Sequence, residues 1–276
     1  MTGDPQQTLT AAAAAVLSIP DAVDKANATR RLHADYLAGR FVVRGTPDAP
    51  HRPARPARPR LLPPRDMPRR RKGGTVATRI ALVHAIAHIE LNAIDLAVDL
   101  VARFASPDLP DRFFDDWLRV ADDEARHFLL LRQRLLDLGA DYGDLPAHDG
   151  LWQAAMDTAH ALTARLAVAH MVLEARGLDV TPAMIERLTR LGDIETAEIL
   201  SVIYRDEITH VAAANHWFGE LTGLSGDARD ACWQRLVRES FRGMLKRPFN
   251  HDARRGAGME PAMYEPLADP LPAADA

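Results

Sequence analysis

Cysteine is almost absent from this chain of 276 residues. The single cysteine, Cys232, excludes an internal disulfide and any zinc site that needs several thiolates. The first apolar stretch, residues 9–19, has no basic region before it, so no secretory signal is expected. No run of 18 uncharged apolar residues occurs, so no membrane span is expected either. These absences favour a cytoplasmic protein without a membrane partner.

Aromatic residues are also few, at 6% of the chain, whereas alanine and leucine are abundant. This composition favours helix over sheet. No segment alternates apolar and polar residues as a half-buried strand does. We therefore predict an all-α fold. The sequence also has no glycine-rich nucleotide-binding fingerprint, so the electrons for any redox reaction must come from an external donor.

Four long segments carry apolar residues at helical spacing and predict a four-helix bundle. Their expected bounds are about 76–104, 111–138 and 193–221. The third helix is expected within 151–176, and a ferritin-like order requires it to begin nearer Met156, whereas a simple up-down bundle does not. Gly177 is expected to close the third helix, and a short helix is expected to start at Pro182. Thr10 and Asp21 are the expected caps of an N-terminal helical hairpin. A C-terminal helix, about 227–245, completes the prediction and precedes a tail with little order.

Charge is unevenly distributed along the chain, which we divide into a hairpin (1–42), a linker rich in proline and arginine (43–74), the bundle (75–246) and a tail (247–276). From Arg52 to Lys72 the linker holds nine basic residues and one acidic residue, a net charge of +8. The whole chain has a net charge of −4, so the remainder carries −12. We expect the linker to lie extended along the acidic body. Nucleic-acid binding is the disfavoured alternative, because no aromatic residue lies among the arginines to stack on bases.

Two helical segments each contain a glutamate and a histidine three positions apart. These residues are Glu124 with His127, and Glu207 with His210. At that spacing the two side chains share one face of a helix, one turn apart. A carboxylate and an imidazole aimed at one point form half of a dinuclear metal site.

A further helical glutamate precedes each of these pairs at nearly the same distance. Glu90 lies 34 residues before the first glutamate, and Glu174 lies 33 residues before the second. Both have apolar neighbours, among which a carboxylate is costly to bury unless it is paired or metal-bound. We expect two iron ions, with manganese, alone or together with iron, as the alternative. The predicted ligands are Glu90, Glu124, His127, Glu174, Glu207 and His210.

Two aspartates immediately precede ligand glutamates. A histidine that binds a metal normally donates its other ring N–H to a carboxylate or carbonyl oxygen. We predict that each aspartate accepts from the histidine of the opposite pair, Asp123 from His210 and Asp206 from His127. The alternative is that both aspartates are ordinary acids on a helix surface.

Two more residues lie one turn before predicted ligands. His170 precedes Glu174, and Tyr204 precedes Glu207. Either could line a pocket beside the metals. Packing in the protein core, with the polar group hydrogen-bonded, is the favoured interpretation of each. Arg176 and Asp179, just past Glu174, are expected at the mouth of the same pocket.

The sequence Asp123-Glu124-Ala125-Arg126-His127 matches the Asp-Glu-x-Arg-His motif of di-iron oxygenases and desaturases in the ferritin-like superfamily. The second copy has Thr209 in place of the arginine, so Arg126 is expected beside one half of the site only. More closely, the chain resembles an uncharacterised bacterial ferritin-like family known as a domain of unknown function. The stretches that carry this resemblance are 84–95 (HAIAHIELNAID), 148–152 (HDGLW) and 173–182 (LEARGLDVTP). It implies a ferritin-like bundle over most of the chain and the same metal ligands, and it implies no substrate.

This ligand set predicts an oxygen-activating di-iron enzyme, an oxidase or hydroxylase of unknown substrate. Four carboxylates balance the charge of two Fe(II) ions, and open metal positions remain for molecular oxygen. One alternative is an iron-handling ferroxidase or storage protein, although the hairpin, linker and tail argue against a storage cage. Two further hypotheses are a tRNA-modifying hydroxylase, which is built on the same bundle, and a helical interaction module with a relict site. The sequence leaves the oligomeric state open.

Overall fold

The computed structural model describes residues 8–68 and 74–268. Regular structure in these residues is helical, with no β-strand among them, which confirms the all-α prediction. The chain divides into two compact units, Met1–Gln153 and Ala154–Ala276. The division of the sequence into hairpin, linker, bundle and tail remains a prediction.

The first unit is built on two long helices that pack against each other. Its helices are α1 (Leu9–Leu17), α2 (Ala22–Leu37), α3 (Val76–Phe104) and α4 (Asp111–Asp137). The contact between α3 and α4 is the most extensive, while α1 packs on α3 and α2 packs on α4. Fully buried aromatic side chains of α4, such as Phe113, Trp117 and Phe128, fill the core. The bounds of both long helices agree with the apolar periodicity to within one residue.

Helix α3 is long and apolar enough to cross a membrane, but it has the features of a core helix. In its most apolar window, 72% of the residues are buried inside the protein. It also buries the polar residues Glu90, Asn92, Asp95 and Asp99, which a lipid-facing surface does not accommodate. No other helix in the described part of the chain meets the same criteria.

The N-terminal hairpin forms as predicted, with one cap displaced. Asp21 caps α2 by accepting hydrogen bonds from the N–H groups of Val23 and Asp24, each at 2.9 Å. The prediction of Thr10 as the cap of α1 is wrong. Thr8 is the cap and accepts from Ala11 N–H at 3.2 Å, whereas Thr10 is buried inside the helix. The helix therefore starts one residue before the predicted cap.

The described part of the basic linker lies along the first unit and is anchored by a buried ion-pair network. Asp95 of α3 is fully buried, 2.8 Å from Arg55 Nη1 of the linker and 2.7 Å from Lys25 Nζ of α2. Lys25 also donates to the backbone oxygen of Ala54 at 2.9 Å. The linker is therefore held against α3 and α2 at this point, and its extended path along the acidic body remains a prediction. Residues 69–72, which carry four of the basic groups, lie outside the described residues.

The second unit is organised around two long helical runs. After α5 (Gly150–Asp157), the first run comprises α6 (Leu162–Arg165), a π-helical stretch (Leu166–Glu174) and α7 (Ala175–Arg190). The second run is α8 (Ile194–Thr222), which packs against α7 and the π-helical stretch. Gly223 ends α8 in the left-handed conformation, at φ +63°, as predicted. A further helix, α9 (Gly226–Ser240), also contacts the π-helical stretch.

The third predicted helix differs most from expectation. It is interrupted after α5, and it then continues through Gly177 and Pro182 rather than ending at the first and restarting at the second. Proline has no N–H to donate to the carbonyl four residues earlier, which here belongs to Leu178. The side-chain Nδ2 of Asn250 donates to that carbonyl instead, at 3.2 Å. A hydrogen bond from a distant part of the chain therefore allows the proline inside the helix.

The C-terminal segment is ordered, contrary to expectation, up to residue 268. It forms α10 (His251–Gly256), α11 (Pro261–Tyr264) and a 3₁₀ turn (Glu265–Leu267). Arg254 is 1% exposed and donates to the carboxylate of Asp179 of α7 at 2.7 and 2.8 Å. This buried ion pair joins positions far apart in the sequence, so the local pattern could not reveal it. The remainder of the predicted tail, residues 269–276, lies outside the described residues.

Replacing Asn250 with alanine is expected to destabilise the protein by about 1–3 kcal/mol, because the Leu178 carbonyl loses its donor. In a Pro182→Ala background the cost should fall by about 1 kcal/mol, because the restored backbone N–H can donate to the same carbonyl. Urea unfolding of the wild type, the two single variants and the double variant measures this coupling. The other contacts of Asn250 contribute equally in both backgrounds and cancel in this double-mutant cycle. Equal costs in both backgrounds would contradict the assigned role of Asn250.

Candidate metal centre

Three of the predicted ligands meet in the first unit. Glu90 of α3 is 3% exposed, and Glu124 and His127 of α4 are fully buried. The Nδ1 atom of His127 lies 3.2 Å from Glu90 Oε2 and 3.5 Å from Glu124 Oε2. One candidate ligand atom from each residue lies within 4.8 Å of the others. These three residues, the first cluster, could therefore hold a metal ion.

The first cluster interrupts an apolar stripe. Along α4, Trp117, Ala121 and Phe128 are buried at helical spacing, and Glu124 occupies the same stripe. One turn beyond this glutamate, His127 is buried as well. A carboxylate in the middle of an apolar face is costly to bury without a compensating partner. The spacing and the burial together agree with the prediction of a metal-binding group.

Electrostatics within the first cluster favour a protonated Glu90 in the absence of a cation. Burial raises the pKa of Glu90 to about 8, with a further contribution from the neighbouring charge of Glu124. The hydrogen bond and charge of His127 act in the opposite direction but are smaller. A cation bound between these carboxylates would favour their charged forms and displace the proton.

Replacing Glu90 with glutamine is expected to change how the stability of the metal-free protein depends on pH. The folded-state pKa of Glu90, about 8, lies above the ordinary glutamate value of 4.5. Its contribution to stability is therefore complete below the unfolded pKa and is lost as the pH rises towards and through 8. At pH 8 the metal-free Glu90→Gln variant should be more stable than the wild type by about 4 kcal/mol, and at pH 5 by only about 1 kcal/mol.

Urea unfolding of chelator-treated protein at both pH values measures this difference. Glu198→Gln, which changes an exposed glutamate of α8, is the matched control and should show no such pH dependence. The raised pKa of Glu90 would be contradicted if the difference in unfolding free energy between the wild type and Glu90→Gln were the same at pH 5 and pH 8.

The second unit holds the remaining predicted ligands. On α8, His210 is fully buried and its Nδ1 lies 3.8 Å from Glu207 Oε2. Glu174 ends the π-helical stretch with 7% of its side chain exposed, and its Oε1 lies 2.8 Å from Nδ1 of the buried His170. The Oε2 atom of Glu174 is buried and has no hydrogen-bond partner within the described residues. We name Glu174, Glu207 and His210 the second ligand set.

Arg126 is 35% exposed on its side chain and donates to Asp123 on the same helix at 3.1 Å. Its place beside one half of the site remains a prediction. Asp206 is half-buried on α8. The two predicted aspartate–histidine pairs each join residues of different units, and both remain predictions.

His170 and Tyr204, for which the sequence left a pocket and the core open, each have a hydrogen-bond partner in the structure. His170 is the hydrogen-bond partner of Glu174, so it orients a predicted ligand. The hydroxyl of Tyr204 accepts a hydrogen bond from Asn250 Nδ2 at 2.9 Å. The spacing of four residues between His170 and Glu174 gave a signal for the first contact. No local signal marked Asn250, which lies 46 positions from the tyrosine.

Comparisons with known proteins agree with the resemblance seen in the sequence. The chain matches the family described as "Protein of unknown function (DUF455)" over residues 18–265. An uncharacterized protein of Haemophilus influenzae is 42% identical over 203 residues, which make up 72% of this chain and 70% of that protein. No solved structure matches the chain. Since the match covers most of its length, the chain belongs to the DUF455 family of proteins of unknown function.

Proposed function

We propose that this protein is a ferritin-like di-iron carboxylate protein that activates molecular oxygen as an oxidase or hydroxylase. The first cluster carries this proposal, because Glu90 and Glu124 bring two carboxylates and His127 brings an imidazole to one buried place. Two neighbouring buried carboxylates repel each other when both are charged, and a bound cation removes that cost. We propose that the second ligand set supplies the remaining ligands.

The chemistry of the donor atoms supports iron or manganese over softer metals. The candidate ligands are carboxylate oxygens and imidazole nitrogens, which suit these ions, whereas thiolates would favour zinc or copper. Iron bound there would supply electrons to molecular oxygen, and an external donor would restore them. Glu90 releases a proton when a metal binds, and His170 holds Glu174 in a fixed orientation. We place the protein in the cytoplasm, where such a donor is available.

The test is the iron content and the oxygen consumption of the wild-type protein from iron-replete cells. We expect about two iron ions per chain. The anaerobically reduced protein should consume oxygen when the two are mixed, and protein loaded with zinc, which has no redox chemistry, should not. An iron content many times higher, with a mineral core, would favour storage. Wild-type protein without bound iron would contradict the proposal.

A further inference from the structure

A small cavity of about 130 Å³ lies in the second unit beside the π-helical stretch. Val172 and Leu173 line it from the stretch that ends at Glu174. Phe241, Met244 and Phe249 line it from the segment that follows α9. The wall is therefore largely apolar, and it includes the two residues immediately before a predicted metal ligand.

One polar group in the wall is incompletely bonded. Arg254 is 1% exposed, and its Nε and Nη2 atoms donate to the carboxylate of Asp179 at 2.8 and 2.7 Å. Its Nη1 atom is buried and has no hydrogen-bond partner in the part of the chain that the structure describes. The guanidinium lies over the rings of Phe249 and Tyr264, at 4.9 and 4.6 Å from the ring centroids. A buried N–H without an acceptor is costly, so this atom favours a ligand that offers one.

The charges around the cavity favour an anion. Arg176, Lys246 and Arg254 line it, against the single carboxylate of Asp179, which leaves two excess positive charges. A carboxylate matches the planar guanidinium better than a spherical anion does, because both present their polar atoms in one plane. The apolar wall suits a hydrocarbon chain attached to that carboxylate.

The volume of about 130 Å³ is several times what one water molecule needs, so the cavity has room for a small organic molecule. A short acid of about six non-hydrogen atoms fits that space. The Nη1 atom is shielded from water, so a lining side chain must move before a ligand can reach it. Met244 lines the cavity, is 47% exposed and has three rotatable bonds, so it is one side chain that can move.

We propose that this cavity binds a short-chain monocarboxylic acid whose carboxylate is held by Arg254. Because its wall adjoins Glu174, we assign such acids as the substrate class of the oxidase, and this assignment rests on the proposed function. Binding of the acid itself does not rest on the proposed function, since it requires only residues of the second unit and no metal.

Butyrate, butyramide and inorganic phosphate are the probes, each titrated into the full-length, metal-free protein by calorimetry. Butyramide has the shape of butyrate without its charge, and phosphate has charge without an apolar chain. We expect butyrate to bind at least about tenfold more tightly than either, which corresponds to about 1.4 kcal/mol. Equal binding of butyrate and butyramide, or of butyrate and phosphate, would overturn the proposal, and so would the absence of butyrate binding.

Two variants localise the binding without removing the buried arginine. Met244→Trp fills the cavity and should weaken butyrate binding at least about tenfold. Leu191→Trp changes a leucine that is 46% exposed after α7 and lies outside the cavity lining, so its affinity should equal that of the wild type. The iron content of both variants should match the wild type. If the wild-type protein contains iron but does not bind butyrate, the proposal for the cavity is refuted and the metal centre is not. If it binds butyrate but contains no iron, the proposed metal centre is refuted and the acid-binding cavity is not.

Discussion

Replacing Glu124 with alanine is expected to reduce bound iron from about two ions per chain to less than about half an ion. Glu124 is fully buried beside Glu90 and His127, so its loss removes a donor from the centre of the first cluster. The helices should remain, because the apolar stripe of α4 is unchanged. Metal analysis measures the first effect, and far-ultraviolet circular dichroism measures the second.

The matched control is Glu198→Ala, which removes an exposed glutamate from a helix that also carries predicted ligands. It should retain the iron of the wild type. Glu124→Gln keeps the size of the side chain and should lose iron as the alanine variant does. The loss of iron could then not be attributed to the empty space that alanine leaves in the core. Full iron content in both Glu124 variants would show that the first cluster does not bind the metal.

Replacing Asp95 with alanine is expected to destabilise the protein by about 3–5 kcal/mol. Asp95 is the shared partner of Lys25 and Arg55, and its side chain and that of Lys25 are almost completely buried. Burial lowers the pKa of Lys25 even with the aspartate present. Without the carboxylate the ammonium group either remains charged and unpaired or loses its proton, and both outcomes cost stability. Urea unfolding at pH 7 measures the loss.

The matched control is Asp66→Ala, since Asp66 pairs with Arg65 at 3.8 Å and both side chains are exposed. The cost there should be below about 1 kcal/mol. A double variant, Lys25→Met with Asp95→Leu, removes the buried ammonium together with the carboxylate and leaves Arg55, 17% exposed and bonded to Asn92, so it should be less destabilised than Asp95→Ala. An Asp95→Ala cost as small as that of the control would show that the network does not anchor the linker to α3.

Sequence reasoning succeeded where structure is determined by neighbours along the chain. The bounds of α3 follow from apolar residues at helical spacing, and the end of α8 follows from Gly223, which can adopt a positive φ. The spacing of Glu124 and His127 predicts that their side chains share a face, and both are buried near Glu90. The site was predictable to this extent because one helix turn fixes the relation between the two side chains.

Prediction from the sequence failed where contacts between distant residues override the structure that the local sequence favours. Pro182 is a strong local signal for a helix start. It nevertheless lies inside α7, because Asn250 donates to the Leu178 carbonyl that the proline leaves without a backbone donor. The segment after α9 has too little apolar periodicity to predict order, yet Arg254 fixes it to Asp179. The π-helical stretch has no sequence signature, because its residues would also suit an α-helix.

The π-helical stretch has a mechanical consequence for the second unit. An α-helix turns by about 100° per residue, and a π-helix turns by less, so Leu166–Glu174 sets the rotational phase of all that follows it. Asp179 lies beyond the stretch and bonds Arg254 in that phase. Relaxation to α geometry would change the direction in which Asp179 points, whereas His170 and Glu174, four residues apart, are neighbours in either geometry. The stretch therefore sets the angular position of the carboxylate that holds the C-terminal segment.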